Sequence, residues 1–349
     1  MFDMWLWALA GLVSFFVAFS LTPLVRRFSL HYGFVAVPGA RSAHTTPTPV
    51  LGGLAIAAGF VLPVFVFLHP FSRDLAGLVT GGLVMLAVGL IDDIYDLPPL
   101  AKLAGQFLAA GVLVAFGVQV DFLRNPFGSG YVFLSPVVGV VFTLVWVVSM
   151  ANVANIMDGL DGLSAGISSI AALTLLFVAI ETGNASIAIL TALLAGSALG
   201  FLPHNFNPAK IFMGDTGALF LGYTLAAVSV LGALKTTTAL ALVVPAMAMG
   251  LPIFDTAFAI VRRLANHRSV AQADRNHLHH RLLDIGLSQR QVVVLMYLVS
   301  AVLGISALAV SVMPPVRALL GLSLVVLVLA AGGARLGLFT LRREQGVGR

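Results

Sequence analysis

Residues 75–99 read LAGLVTGGLVMLAVGLIDDIYDLPP. Across 75–91 no side chain is charged, and Thr80 alone is polar. Such a run suits a helix crossing a bilayer, which takes about 20 apolar residues. It then breaks into Asp92, Asp93 and Asp96, and Pro98 and Pro99 end the helix. Carboxylates this close repel one another, so a cation must sit nearby or one of them must hold a proton. An apolar span with an acidic end says two things. The chain lives in a membrane, and it does chemistry at the membrane's edge.

The rest of the chain repeats the first half of that message. Of 349 residues, 59% are hydrophobic and only 9% charged, where a soluble domain carries roughly 25%. So few charges cannot cover a soluble protein of this size, which excludes a soluble enzyme, a disordered chain and a nucleic-acid module. We expect an all-α polytopic bundle of about 11 transmembrane helices. The expected spans are 5–25, 50–68, 75–91, 100–118, 136–150, 163–180, 185–202, 218–234, 239–260, 292–312 and 316–338. The whole of 1–349 reads as one integral-membrane domain, with 335–349 as a short cytoplasmic tail. Cys is absent, so neither disulfides nor thiol chemistry is available. Residues 1–5 contain Asp3 and no Lys or Arg, so the first span is expected to be retained rather than cleaved.

Basic residues orient the bundle. With the N-terminus outside, only Arg73, Arg124, Lys235 and Arg317 of the 19 Lys and Arg lie outside. That positive-inside bias also puts the C-terminus in the cytoplasm. Carboxylates carry little topological weight, yet Asp92, Asp93, Asp158, Asp161, Asp215 and Asp255 gather on the same inner side.

Several constellations fall there. Lys102 follows the first acidic group, and one or two carboxylates beside a phosphate suit Mg²⁺. In NVANIMDGLDGL (152–163), Asn152, Asn155, Asp158 and Asp161 recur every third residue. Helix capping explains one such residue, not four. Asp215, in FMGDTG (212–217), stands where a span begins and reads equally as a helix cap or a metal ligand. His204, Asn207 and Lys210 precede it. The long basic loop holds RNHLHHR (275–281), where a helix would put His277, His280 and Arg281 on one face. His beside Arg suits phosphate binding or proton transfer, and the spacing matches no standard zinc site. Asp255, in the ninth span, reads as a structural pair or a functional group. Finally, RSAHTTPTPVLGG (41–53) carries His44 and a proline-fixed approach to the second span. Together these parts describe a site for phosphates and a divalent cation, able to join a lipid phosphate to a water-soluble nucleotide.

The motifs resemble those of the polyprenyl-phosphate N-acetylhexosamine-1-phosphate transferase family. Asp92-Asp93-x-x-Asp96-Leu97-Pro98, Asn152-x-x-Asn155-x-x-Asp158-Gly159-x-Asp161-Gly162-Leu163, Gly214-Asp215-x-Gly217 and His277-x-His279-His280 follow its order along nearly the whole chain. The chain is most similar to the bacterial branch that moves N-acetylglucosamine 1-phosphate from UDP-N-acetylglucosamine onto undecaprenyl phosphate. One departure is Val50-Leu51, where relatives often carry Arg-Gly.

The resemblance implies Mg²⁺, with Mn²⁺ as a substitute, at Asp215 with help from Asn155. It implies Asp92 and Asp93 as a catalytic pair acting on the lipid phosphate, with Asp158 and Asp161 lining the nucleotide site as further catalytic residues. His277, His279 and His280 would meet the diphosphate or sugar, the last two as part of the catalytic set. Lys102, Asn152, Asn155, Arg281 and His44 join His277 as expected substrate contacts. The partners implied are undecaprenyl phosphate, a UDP-N-acetylhexosamine and the bilayer, without nucleic acid, and a homodimer is compatible with such a bundle. The implied location is the bacterial inner membrane, with the site facing the cytoplasm, at the first membrane step of a surface glycan such as O-antigen, common antigen or teichoic acid.

Competing readings are the same reaction with UDP-N-acetylgalactosamine, a 6-deoxy-aminosugar or the muramoyl-pentapeptide nucleotide. A transporter with an acidic relay would instead hold its carboxylates near mid-membrane. A CDP-alcohol transferase would carry Asp-Gly-x-x-Ala-Arg, where this chain has Asp161-Gly162-Leu163-Ser164-Ala165-Gly166.

Overall fold

In a computed structural model of the chain, the described residues are 3–36, 47–124, 130–236, 240–265, 277–311 and isolated positions between 320 and 331. Their helices are α1 (Asp3–His31), α2 (Gly53–Phe67), α3 (Arg73–Tyr95), α4 (Pro99–Ala115), α5 (Pro136–Ile156) and α6 (Leu163–Glu181). There follow α7 (Ala185–Asn205), α8 (Gly214–Thr236), α9 (Leu240–Ala248), α10 (Gly250–Ala265), α11 (Leu278–Asp284) and α12 (Gln289–Ser311). Two short antiparallel pairs punctuate them. β1 (Val35–Ala36) sets Val35 opposite Pro49 of β2 (Thr48–Pro49), and β3 (Phe122–Arg124) sets Phe122 opposite Phe133 of β4 (Tyr131–Phe133).

Among the described residues seven helices, α1, α3, α5, α6, α7, α8 and α12, are long and apolar enough to cross a membrane. Helices α2 and α4 are apolar but shorter. The ninth expected span is divided between α9 and α10. Pro252, having no N–H, cannot continue the hydrogen-bond ladder across the division. The eighth span begins at Gly214 rather than at residue 218, which brings Asp215 into the first turn of α8. The eleventh span, 316–338, lies mostly outside the described residues, as the tail 335–349 does entirely.

The starts of several helices are written locally. The Ser72 hydroxyl accepts from the Leu75 N–H at 3.4 Å, and the Asn184 side chain accepts from the Ile187 N–H at 3.2 Å, capping α3 and α7. Ser135 caps α5 in the same way, with Pro136 in the first helical position.

Packing is organised about α8. In its most apolar stretch α8 is 94% buried, against 22% for α1. Helix α8 is therefore the axis of the bundle, while α1 turns Leu9, Leu12 and Phe16 outward to lipid. Small residues let the backbones approach closely, as membrane helix interfaces require. A methyl on Gly89 of α3 would stand 2.5 Å from the Asp215 carbonyl oxygen, and one on Gly222 of α8 would stand 2.5 Å from the Met150 carbonyl oxygen of α5. These seams bring the ends of α3, α5 and α8 to one point on one side of the bundle. Arg73, bonded to the Ala115 carbonyl at 3.0 Å, marks the opposite side.

Candidate active site

The site is built from two helix ends, those of α3 and α5, and two helix starts, those of α4 and α8. Helix α3 delivers Asp92 and Asp93 in its last turn. Asp96 then adopts a left-handed conformation (φ 51°) and ends the helix, its N–H bonded to the Asp92 carbonyl at 2.8 Å. Asp is among the few side chains that accept this region. Asp96 therefore leaves the helix face it would have shared with Asp92.

Asp93 does not stand free. Its Oδ1 accepts from the Asp215 N–H at 2.8 Å, and its Oδ2 accepts from the Thr216 N–H at 3.0 Å and the Thr216 hydroxyl at 2.6 Å. A carboxylate at a helix N-terminus satisfies donors that otherwise lack partners and complements the dipole. The cap of α8 is thus supplied by another helix. Gly214 makes this possible, because its φ is +68° and a side chain there would collide with the Asp93 carboxylate.

With capping assigned to Asp93, the Asp215 side chain is left to the site. Its Oδ1 accepts from Asn155 Nδ2 at 2.6 Å, and its Oδ2 pairs with the Lys102 ammonium. Lys102 reaches in from α4, also bonds Asp92 Oδ2 at 2.8 Å, and lies 3.4 Å from Asn155 Oδ1. The second oxygen of Asp92 accepts from the Leu97 N–H at 2.8 Å. Asp92, Lys102, Asn155 and Asp215, drawn from four separate helices, therefore form one cluster with the lysine as internal counter-charge.

Residues 152–163 do not form one continuous helix. Asn152 and Asn155 close α5, Asp158 lies in a 3₁₀ turn (Met157–Gly159), and Asp161 lies beyond it. Among the described residues Asp158 accepts no hydrogen bond, and it faces the charges of Asp215, Asp93 and Asp161. Asp161 accepts from Asn207 Nδ2 at 2.9 Å and the Ala209 N–H at 3.0 Å, tying down the segment between α7 and α8. The Gly162 N–H is held by Asn205 Oδ1 at 3.0 Å, and the Gly162 carbonyl accepts from the Tyr297 hydroxyl at 2.5 Å. Asn152 forms a reciprocal amide pair with Gln106, at 2.6 and 3.3 Å. Gln106 is buried and one helical turn beyond Lys102. A polar residue at that spacing was the available sign of it.

The histidine motif begins at a cap. His277 precedes α11 in extended conformation, so it does not share a helix face with His280 or Arg281 as a continuous helix would have had it. Asp255 of α10 receives the Leu278 N–H at 2.9 Å and His277 Nδ1 at 3.0 Å. The His277 and His279 rings stack at 5.8 Å, and the His280 ring lies 4.3 Å from that of His279. Burial, with His280 and His277 beside it, pushes the His279 imidazole down to about 3. A methyl on Gly159 would stand 3.0 Å from His279 Nε2, so the motif packs on the turn that carries Asp158. Arg281 sits within α11. His44 lies outside the described residues.

The donor set is oxygen-rich, as Mg²⁺ and Mn²⁺ prefer. Among the described residues no three His, Asp or Glu converge as a ready metal site. Lys102 already occupies the position of a cation between Asp92 and Asp215. One or two carboxylates, an amide oxygen and substrate phosphate oxygens are a fitting set for Mg²⁺.

The profile of glycosyl transferase family 4 matches residues 75–233, the stretch from α3 to α8 that builds the cluster. A Bacillus subtilis protein named "probable undecaprenyl-phosphate N-acetylglucosaminyl 1-phosphate transferase" is 37% identical over 299 residues, covering 86% of this chain and 83% of its own. The decaprenyl-phosphate N-acetylglucosaminephosphotransferase of Mycobacterium tuberculosis is 37% identical over 319 residues, covering 83% and 79%. An undecaprenyl-phosphate alpha-N-acetylglucosaminyl 1-phosphate transferase of Thermotoga maritima is 30% identical over 267 residues, covering 76% and 78%. With 37% identity over 86% of its length to such a relative, the chain belongs to the polyprenyl-phosphate N-acetylhexosamine-1-phosphate transferases of glycosyl transferase family 4.

Proposed function

We propose that the chain transfers N-acetylglucosamine 1-phosphate from UDP-N-acetylglucosamine to undecaprenyl phosphate, releasing UMP, at the cytoplasmic face of the inner membrane. The observation that carries this reading is the convergence of Lys102, Asn155 and Asp92 on Asp215. That cluster sits at the end of a membrane bundle, where a lipid phosphate and a soluble nucleotide can meet. The names of the relatives favour N-acetylglucosamine and a polyprenyl phosphate. The product would open a surface-glycan pathway of the O-antigen, common-antigen or teichoic-acid kind.

The acceptor is a phosphate monoester with a second pKa near 6, so it is mostly dianionic at neutral pH. It hardly needs a base, and the protein's task is positioning and charge neutralisation. Lys102 supplies one positive charge to the phosphates, and Arg281 is the second candidate. Asp215 and Asn155 would hold Mg²⁺, which supplies charge neutralisation on the diphosphate when bound. Both oxygens of Asp92 and both of Asp93 already accept from donors. That supports direct attack of the lipid phosphate on the β-phosphorus over a phospho-aspartate. Asp158 is the carboxylate best placed to take a residual proton. Exchange of labelled UMP into UDP-sugar without lipid acceptor would count against direct attack.

The deciding experiment is transfer from a panel of radiolabelled UDP-sugars to undecaprenyl phosphate, with lipid products identified by mass. A lipid-linked N-acetylglucosamine phosphate is expected. Turnover of the muramoyl-pentapeptide nucleotide alone would overturn the assignment.

A further inference from the structure

A cavity of about 680 Å³ lies beside the site rather than in it, lined by Phe15 of α1, Leu199, Leu202 and Pro203 of α7, and Phe206, Pro208 and Lys210. Its walls are apolar except at one end. There Lys210 is exposed and its ammonium has no partner among the described residues. Arg26 of α1, outside the lining itself, donates from Nε to the Lys210 carbonyl at 3.1 Å, which brings a second cation next to Lys210. The outward side chains of α1 next to the groove are exposed and apolar, so the groove opens to lipid and its charged end lies at the interface.

An apolar channel continuous with the bilayer and ending in two cations is complementary to a chain with an anionic head. We propose that this groove is a site for one acyl chain of an anionic phospholipid, with its phosphate paired to Lys210 and Arg26. The site is separate from the Asp92–Lys102–Asp215 cluster, since none of its lining residues belongs to it. Yet it touches the site's scaffold. Pro208 lies between Asn207 and Ala209, the two residues that bond Asp161, and the Lys210 N–H bonds the His204 carbonyl at 2.9 Å. A lipid in the groove therefore braces the segment that holds Asp161.

The test uses the full chain reconstituted in equimolar phosphatidylglycerol and phosphatidylcholine, with retained lipids counted by native mass spectrometry. No substrate is needed, so the outcome does not depend on the proposed reaction. Wild type should retain phosphatidylglycerol in clear excess over phosphatidylcholine. Lys210→Gln should cut that excess about five-fold, the worth of one Lys at an anionic surface, and adding Arg26→Gln should bring it near unity. Leu199→Trp, which fills the groove, should abolish retention of both lipids. Should that variant fail to fold, the two surface substitutions still decide the matter. Equal retention by wild type and Lys210→Gln, or displacement of the lipid by equimolar polyprenyl phosphate, would overturn the proposal.

Discussion

Leu51 stands at φ +76°, a conformation that favours glycine, and its side chain is 1% exposed. Left-handed backbone costs a non-glycine residue about 1–2 kcal/mol, while burying a Leu contributes about 1.5–3 kcal/mol. The two oppose each other, so Leu51→Gly, which sheds the strain along with the packing, should cost about 1–2 kcal/mol less than a change to alanine. Leu51→Ala keeps the strain and loses the packing, at about 2–4 kcal/mol. Alanine should therefore melt below glycine in detergent, the reverse of the usual order, and an equal pair of Tm values would refute the balance. Asp93 and Asp215 make a second contrast. Asp93→Ala leaves the N–H groups of Asp215 and Thr216 unpaired, so both Tm and transfer should fall, with a cost of about 1–3 kcal/mol. Asp215→Asn keeps shape and loses charge, so transfer should disappear with Tm nearly unchanged. If Asp93→Ala left Tm intact, the capping role would be wrong.

Among elements, α11 is a seven-residue helix held by Asp255 and packed through His279. Because His279 is held at about 3 when folded, against an ordinary 6.5, the unfolded chain binds its proton first as pH falls. The stability it contributes is complete above pH 6.5 and is lost progressively toward pH 3, amounting to about 1 kcal/mol by one pH unit below 6.5. Hydrogen-exchange protection factors in α11, corrected for the intrinsic slowing of amide exchange in acid, should fall between pH 7 and 5.5, with His277, His280 and Asp255 facing the same ring. A His279→Phe variant should flatten that response, and an unchanged slope would assign it elsewhere. Elements were legible to different degrees. The long apolar runs and their Ser, Asn and Pro starts could be read directly. The division between α9 and α10 could not, because membrane helices tolerate proline and glycine when neighbours support them. The early start of α8 was hidden for another reason: its cap lies 122 residues earlier in the chain, and local pattern cannot show an acceptor that distant. Gln106 was only faintly legible, from its place one turn beyond Lys102, because a single amide in an apolar helix carries no motif of its own.

For the whole molecule, composition alone was enough to place the chain in a bilayer, and the crowding of carboxylates at one set of helix ends was legible from span order. Which carboxylate does which job was not, since Asp93, Asp161 and Asp255 turn out to bind backbone N–H groups of other segments. Sidedness can be tested cleanly because the chain has no cysteine. Tyr32 and Tyr131, both exposed, lie at opposite ends of the bundle. In intact cells an impermeant maleimide should label Tyr131→Cys and spare Tyr32→Cys until the membrane is opened; the reverse pattern would invert the topology. The bond from Asp93 to α8 has a bearing on biogenesis as well. Helix α3 enters the membrane long before α8 is made, and α8 has no cap until the two dock. Reactive-site assembly and helix association are consequently a single event. A chain that has made α3 but not α8 lacks Asp215 and the donors that hold Asp93, so the cluster is complete only once the two helices have met.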